Sequence, residues 1–86
     1  MYRVILQRQA ERYYRHTDKT TARRLAKCFS ELEKDPYSNT RALKGEFKGL
    51  HRLRIGNLRV IVGINSDTRI VNVLAILPRG DIYKTR

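Results

Sequence analysis

One cysteine, Cys28, leaves the chain unable to form an internal disulfide, which excludes a secreted scaffold held together by cross-links. Histidine is almost as scarce: His16 and His51 with Cys28 cannot supply a four-ligand zinc site, so no metal and no cofactor is expected. No apolar run approaches the ~18–20 residues of a membrane span. Met1 to Gln9 alternates apolar residues with Arg and Gln and lacks the apolar stretch of a signal peptide. Low-complexity stretches and internal repeats are missing as well. These absences predict a soluble cytoplasmic protein without membrane contact. Acidic residues are the last deficit, eight Asp plus Glu against nineteen Lys plus Arg, for a formal charge of +11.

Eighty-six residues make a single small domain, expected to span 1–86. Surface scaling gives roughly 5,300 Å² folded against about 14,600 Å² unfolded, enough for one thin core and no enclosed cofactor pocket. On so little surface, +11 sets up a field that attracts polyanions. Thirteen of the nineteen cations are Arg, whose planar fork suits phosphate. At 41% hydrophobic, the chain should fold rather than stay disordered.

Met1 to Leu6 reads as a strand rich in β-formers. Gln7 to His16 turns helical, with Ala10, Tyr13 and Tyr14 at helical spacing. Thr17-Asp18 breaks that helix and caps a second over 19–34, whose stripe reads Ala22, Leu25, Ala26, Phe29 and Leu32, with Cys28 at its edge. Pro36 ends it. Residues 37–48 form a polar connector with one apolar tether, Leu43. Leu50–Ile55 and Leu58–Ile64 then read as a hairpin closed by Gly56-Asn57. A turn at 65–68 and a strand over 69–77, closed by Pro78, complete an α+β fold: β-α-α-β-β-β, a twisted, mainly antiparallel sheet with two helices on one face.

A two-residue loop fixes the hairpin register. Ile55 faces Leu58, Arg54 faces Arg59, Leu53 faces Val60 and Arg52 faces Ile61. Alternation sends Leu53, Ile55, Leu58, Val60 and Val62 to the core, and Val71, Val73 and Ala75 with them. Arg52, Arg54 and Arg59 share the other face with Ile70, Asn72 and Leu74. Like charges directly opposite cost roughly 0.2–1 kcal/mol, so stability alone does not favour Arg54 across from Arg59. A basic stripe is usually only a solvated face. Here, however, residues 41–86 hold ten cations against Glu46, Asp67 and Asp81, and a net +7 cannot be neutralised locally. An anionic partner follows, nucleic acid first and an acidic protein segment second.

Cutting RNA needs a base for the 2′-OH, positive charge on the phosphorane and a proton for the leaving oxygen. The three arginines could supply charge. Tyr83 could move a proton, because neighbouring guanidiniums would lower its pKa from about 10. Alternation turns His51 away from the arginines, toward a structural role; His16 reads as solvated and Cys28 as a small core residue.

The ordered set Asp35-Pro36, Leu43-Lys44-Gly45, His51-Arg52-Leu53-Arg54-Ile55-Gly56-Asn57-Leu58-Arg59-Val60-Ile61 and Pro78-Arg79-Gly80-Asp81-Ile82-Tyr83-Lys84 resembles the RelE toxins of the RelE/ParE superfamily. These are the toxin halves of prokaryotic type II toxin–antitoxin pairs, and the closing motif is most similar to archaeal-like members. The resemblance covers essentially the whole chain. It implies an endoribonuclease that cuts mRNA in the ribosomal A site, inhibits translation, and leaves a 2′,3′-cyclic phosphate and a 5′-OH.

Carried over residue by residue, Arg52, Arg54 and Arg59 would hold the scissile phosphate, Arg79 would stabilise the leaving oxygen, and Tyr83 would be the base. Arg41, Lys44, Lys48 and Lys84 are the expected further RNA contacts. Better-known members have lysines at Arg52 and Arg54, and Arg cannot give up its proton; if one of those lysines moves a proton, this protein must use Tyr83 or work more slowly. The three residues after Tyr83 imply that a terminal helix found in some members is missing. Implied partners are the ribosome with its mRNA and rRNA, a cognate antitoxin whose acidic segment wraps the toxin, and operator DNA through that complex. Two other readings share the fold: a ParE-like inhibitor of DNA gyrase without catalysis, and a non-toxic nucleic-acid-binding or repressor component.

Overall fold

A computed structural model of the chain describes residues 1–78. In chain order the elements are β1 (Arg3–Leu6), α1 (Arg8–His16), α2 (Lys19–Lys34), β2 (Arg41–Ala42), a 3₁₀ turn (Gly45–Phe47), β3 (Leu50–Ile55), β4 (Leu58–Asn65) and β5 (Ile70–Pro78). The five strands form one sheet in the order β1-β5-β4-β3-β2, parallel between β1 and β5 and antiparallel elsewhere.

Local chemistry accounts for the helix ends. Asp18 caps α2, its carboxylate accepting from the backbone N–H of Thr21 at 3.0 Å and from the Thr21 hydroxyl at 2.7 Å. Those hydrogen bonds hold the Asp18 carboxyl below its ordinary pKa. Asp35 is the C-cap and Pro36 prevents a further turn. Leu25, Cys28 and Leu32 of α2 and Ala10 of α1 lie in the core against Leu58, Val60, Val62, Val71, Val73 and Ile76. Cys28 therefore sits at the centre of the buried stripe, not at its edge, and Ala26 is exposed, contrary to the helical spacing. A methyl group adds so little burial energy that it does not set the rotation of a helix; Leu25 and Leu32 do.

The expected Gly56-Asn57 hairpin forms, with Ile55 opposite Leu58. Gly56 has φ +57° and Asn57 is not left-handed, the pattern of a type II′ turn with glycine first.

Three features depart from the sequence reading. Residues 41–42 of the connector form a strand, β2, beside β3. Arg69 belongs to the preceding turn, with φ +58°, and not to the last strand. The third is a β-bulge. Val62 pairs with Val73 but Ile61 pairs with Ala75, which leaves Leu74 unpaired. One extra residue reverses the alternation beyond it. Ile76 takes the core position predicted for Ala75, while Ala75 and Leu77 move to the opposite face.

Beyond Leu6, β1 no longer covers β5, and a side chain takes over. The Gln9 amide donates to the carbonyl of Ile76 and accepts from its N–H, both at 2.8 Å. It thus mimics a neighbouring strand at the edge from which β5 runs to Pro78.

Candidate functional site

The helices cover one face of the sheet, and among the described residues no helix lies on the other. On that open face lie Arg52 and Arg54 of β3, Arg59 and Ile61 of β4, Ala75 and Leu77 of β5, and Arg41 of β2. The pairing produces two rows. Arg54 stands opposite Arg59, which stands opposite Leu77. Arg41 stands opposite Arg52, which stands opposite Ile61 and then Ala75. Arg52 and Arg54 are two residues apart on one strand, so their Cα atoms are about 7 Å apart. Arg54 and Arg41 are exposed, whereas Arg52 and Arg59 are half-buried.

Among the described residues no carboxylate pairs with Arg41, Arg52 or Arg54; Glu11 and Arg15 form their ion pair on α1. The guanidiniums thus stand on a strip of aliphatic side chains, a surface suited to a phosphate backbone with the flat faces of bases or sugars beside it.

The connector that carries Arg41 is pinned by a small cluster. The Thr40 hydroxyl donates to the Pro36 carbonyl at 2.7 Å, and its oxygen accepts from His51 Nδ1 at 3.3 Å. The His51 ring meets Tyr37 edge-on at 5.7 Å between centroids, and Tyr37 meets Tyr2 in the same way at 6.4 Å. His51 points away from the arginines, as alternation predicts, and holds β2 in place. His16 is exposed at the end of α1.

Not every expected residue joins the arginines. Lys44 and Lys48 are exposed on either side of the 3₁₀ turn, at the end of β3 away from Arg54 and Arg59. Arg79, Tyr83 and Lys84 lie outside the described residues. Conversely, Arg24 and Lys27 of α2 border the outer edge of β3 close to Arg52 and Arg54. The signal for them in the sequence is their helical spacing, since Arg24 and Lys27 lie on the same side of Cys28, the middle of the buried stripe.

Cys28 offers no nucleophile. Burial, and to a lesser extent the charge of Glu31, pushes its thiol up to about 12. At pH 7.5 the native protein is expected to react with an aromatic disulfide reagent at least about a hundredfold more slowly than free cysteine, and at the normal rate once unfolded. Rapid labelling of the native form would contradict the buried placement.

Among the described residues no helix is long and apolar enough to cross a membrane.

Comparisons with known proteins bear on this geometry. No curated protein is significantly similar in sequence. Among solved structures, the RelBE2 toxin–antitoxin complex of Mycobacterium tuberculosis superposes with a TM-score of 0.82 at 20% identity, covering 91% of this chain and 98% of that one. The archaeal RelE–RelB complex of Pyrococcus horikoshii gives 0.76 at 27% identity, covering 92% and 96%. The isolated RelE toxin of E. coli gives 0.76 at 18% identity, covering 98% and 93%. The two relatives at 20% and 18% establish the fold, which is RelE-like. The family model for the ParE toxin of the type II toxin–antitoxin system parDE matches residues 4–83, nearly the whole chain. By that match and this fold, the chain belongs to the ParE toxin family within the RelE/ParE superfamily and is the toxin of a type II toxin–antitoxin system.

Proposed function

We propose that this toxin is a ribosome-dependent mRNA interferase of the RelE type, cutting mRNA in the ribosomal A site and so inhibiting translation in the cytoplasm. The observation that carries the reading is the gathering of Arg41, Arg52, Arg54 and Arg59 on one open sheet face whose strands bear no acidic residue. A surface selected for stability would not set Arg54 against Arg59. A surface selected to hold a phosphodiester would.

In the proposed reaction the 2′-oxygen attacks phosphorus, a new P–O2′ bond forms and the P–O5′ bond breaks. Arg52, Arg54 and Arg59 neutralise the charge that builds on the phosphorane. Tyr83, as phenolate, accepts the 2′-OH proton, and Arg79 stabilises the departing 5′-oxygen, which takes its proton from water to become the 5′-OH. Arginine keeps its proton at any working pH, so the strand cations bind charge and do not shuttle protons. Arg41, Lys44, Lys48 and Lys84 extend the RNA contact. The products carry a 2′,3′-cyclic phosphate and a 5′-OH.

The partners follow from this reading: ribosome, mRNA, rRNA and a cognate antitoxin, with operator DNA reached through the antitoxin complex. The structural neighbours from M. tuberculosis and P. horikoshii, each a complex of toxin with antitoxin, support the antitoxin.

A second reading is favoured by one finding, the family model itself, which is named for ParE. Under it the toxin inhibits DNA gyrase and performs no chemistry. End-labelling decides between them. RNA cut on programmed ribosomes should have 3′ ends that resist periodate and 5′ ends that a kinase labels directly, with gyrase supercoiling unaffected. Inhibited supercoiling with intact RNA would support the gyrase reading instead.

A further inference from the structure

Among the described residues Gly63 is the only glycine inside a strand, two places before the end of β4. Gly45, Gly49 and Gly56 have positive φ; Gly63 does not. A Cβ built on it would meet nothing closer than Leu50 Cδ2 at 3.9 Å, ordinary van der Waals contact. Neither backbone conformation nor packing therefore calls for glycine, and a glycine within a strand weakens it. A bare Cα in such a place marks close approach by another group. The neighbours indicate which group. Gly63 lies two residues beyond Ile61, so it opens onto the arginine face. It stands between Leu50 of β3 and Asn72 of β5, with Arg52 as its diagonal neighbour about 7–8 Å away. The Gln7 amide donates to Asn72 Oδ1 at 2.9 Å. That bond orients the Asn72 amide and leaves its Nδ2 donors and one Oδ1 lone pair uncommitted among the described residues.

We propose that the bare floor at Gly63 seats one nucleobase of the bound RNA and that Asn72 reads the edge of that base. The inference rests on the reading of this face as an RNA-binding surface. The base lies flat on the exposed Gly63 peptide, against Leu50 and Ile61, where any side chain at position 63 would lift it away. Arg52 is within reach of the phosphate of the same nucleotide. Asn72 Nδ2 donates to the base while Oδ1 accepts from it, the donor–acceptor pair that adenine N7 and N6 match. Oδ1 has two lone pairs, so it can serve Gln7 and the base together. An apolar side chain from a protein would fill the dent yet cover the Asn72 amide without bonding it, which is costly. The arginines hold the backbone of any sequence; Asn72 makes the grip depend on which base is present.

The test uses the full-length protein, Gly63→Val and Asn72→Ala, with two fluorescein-labelled RNA hexamers of equal charge, oligoadenylate and its abasic counterpart. Valine suits an extended strand and the room beside Leu50, so Gly63→Val should hold Tm or raise it by a few degrees. By fluorescence anisotropy the wild type should bind oligoadenylate about tenfold more tightly than the abasic hexamer, and both variants should lose most of that difference. The slope of log K against log salt should stay the same in both, because no phosphate contact is removed. On programmed ribosomes a codon with adenine at one position should be cut about tenfold faster than the same codon with uracil there, a preference that Asn72→Ala abolishes. Equal binding of the two hexamers by the wild type, or a preference that survives both substitutions, would overturn the proposal. So would a Tm lowered by Gly63→Val, which would make the bare Cα a requirement of the fold. Binding as described without any cutting would retain this inference and lose the interferase reading. Cutting whose base preference neither variant alters would keep the interferase reading and sink this inference.

Discussion

Arg54→Glu is expected to leave the protein at least as stable as the wild type while removing most of its RNA binding. Arg54 is exposed and lies directly opposite Arg59. Replacing one of two like charges across an antiparallel pair with its opposite relieves roughly 0.2–1 kcal/mol and can add a similar attraction. For a domain of this size each kcal/mol is worth about 4–8 °C in Tm, so thermal unfolding should shift upward by up to several degrees.

RNA binding moves the other way. A charge-assisted contact is worth about 1.5–3 kcal/mol, so losing it and placing a carboxylate near phosphate should lower affinity by about tenfold or more at fixed salt. Each phosphate contact to single-stranded RNA contributes about −0.7 to the slope of log K against log salt, and the slope should flatten by at least that amount. Opposite signs for stability and binding are the signature of a residue kept for its partner. A variant that loses more than about 1 kcal/mol, or binds RNA with the same slope, would mean that Arg54 serves the fold instead.

Leu32→Ala should have the largest effect on stability. Leu32 is 0% exposed, between α2 and the sheet. Truncating a buried leucine costs about 2–5 kcal/mol, because transfer energy is lost and a cavity remains. A chain of this length has roughly 4–13 kcal/mol in total. Tm should fall by about ten degrees or more, and the helix should lose the anchor that keeps Arg24 and Lys27 beside β3. Ala26→Ser, six residues away on the exposed side of α2, should leave Tm within about two degrees. If Ala26→Ser were the damaging change, the rotation assigned to α2 would be wrong.

Much of this arrangement is legible in the sequence, for definite reasons. A two-residue Gly56-Asn57 loop permits one register, and that register by itself puts Arg52, Arg54 and Arg59 on one face. Asp18 and Pro36 likewise announce the ends of α2.

The bulge is different. Leu74-Ala75-Ile76-Leu77 is an unbroken apolar run, so nothing in it marks Leu74 as the residue that drops out of pairing and sends Ile76 inward. Strand β2 owes its two residues to tertiary contacts, the Thr40–His51–Tyr37 cluster among them, and has no local pattern to reveal it. Arg24 and Lys27 look like any solvated helix charges until the fold sets β3 beside them. Arg79, Tyr83 and Lys84 lie outside the described residues, and their roles remain proposals.

The central claim, that the basic face holds mRNA for cleavage, is tested most directly by toeprinting on ribosomes programmed with a defined mRNA. Wild type would be compared with Arg54→Ala, Arg79→Ala and Tyr83→Phe. The account predicts a cut within the A-site codon by the wild type, weakened by about tenfold or more in each variant, with circular dichroism unchanged. Cutting that survives all three substitutions would contradict the assigned site, and folded wild-type protein that makes no cut would contradict the interferase reading itself.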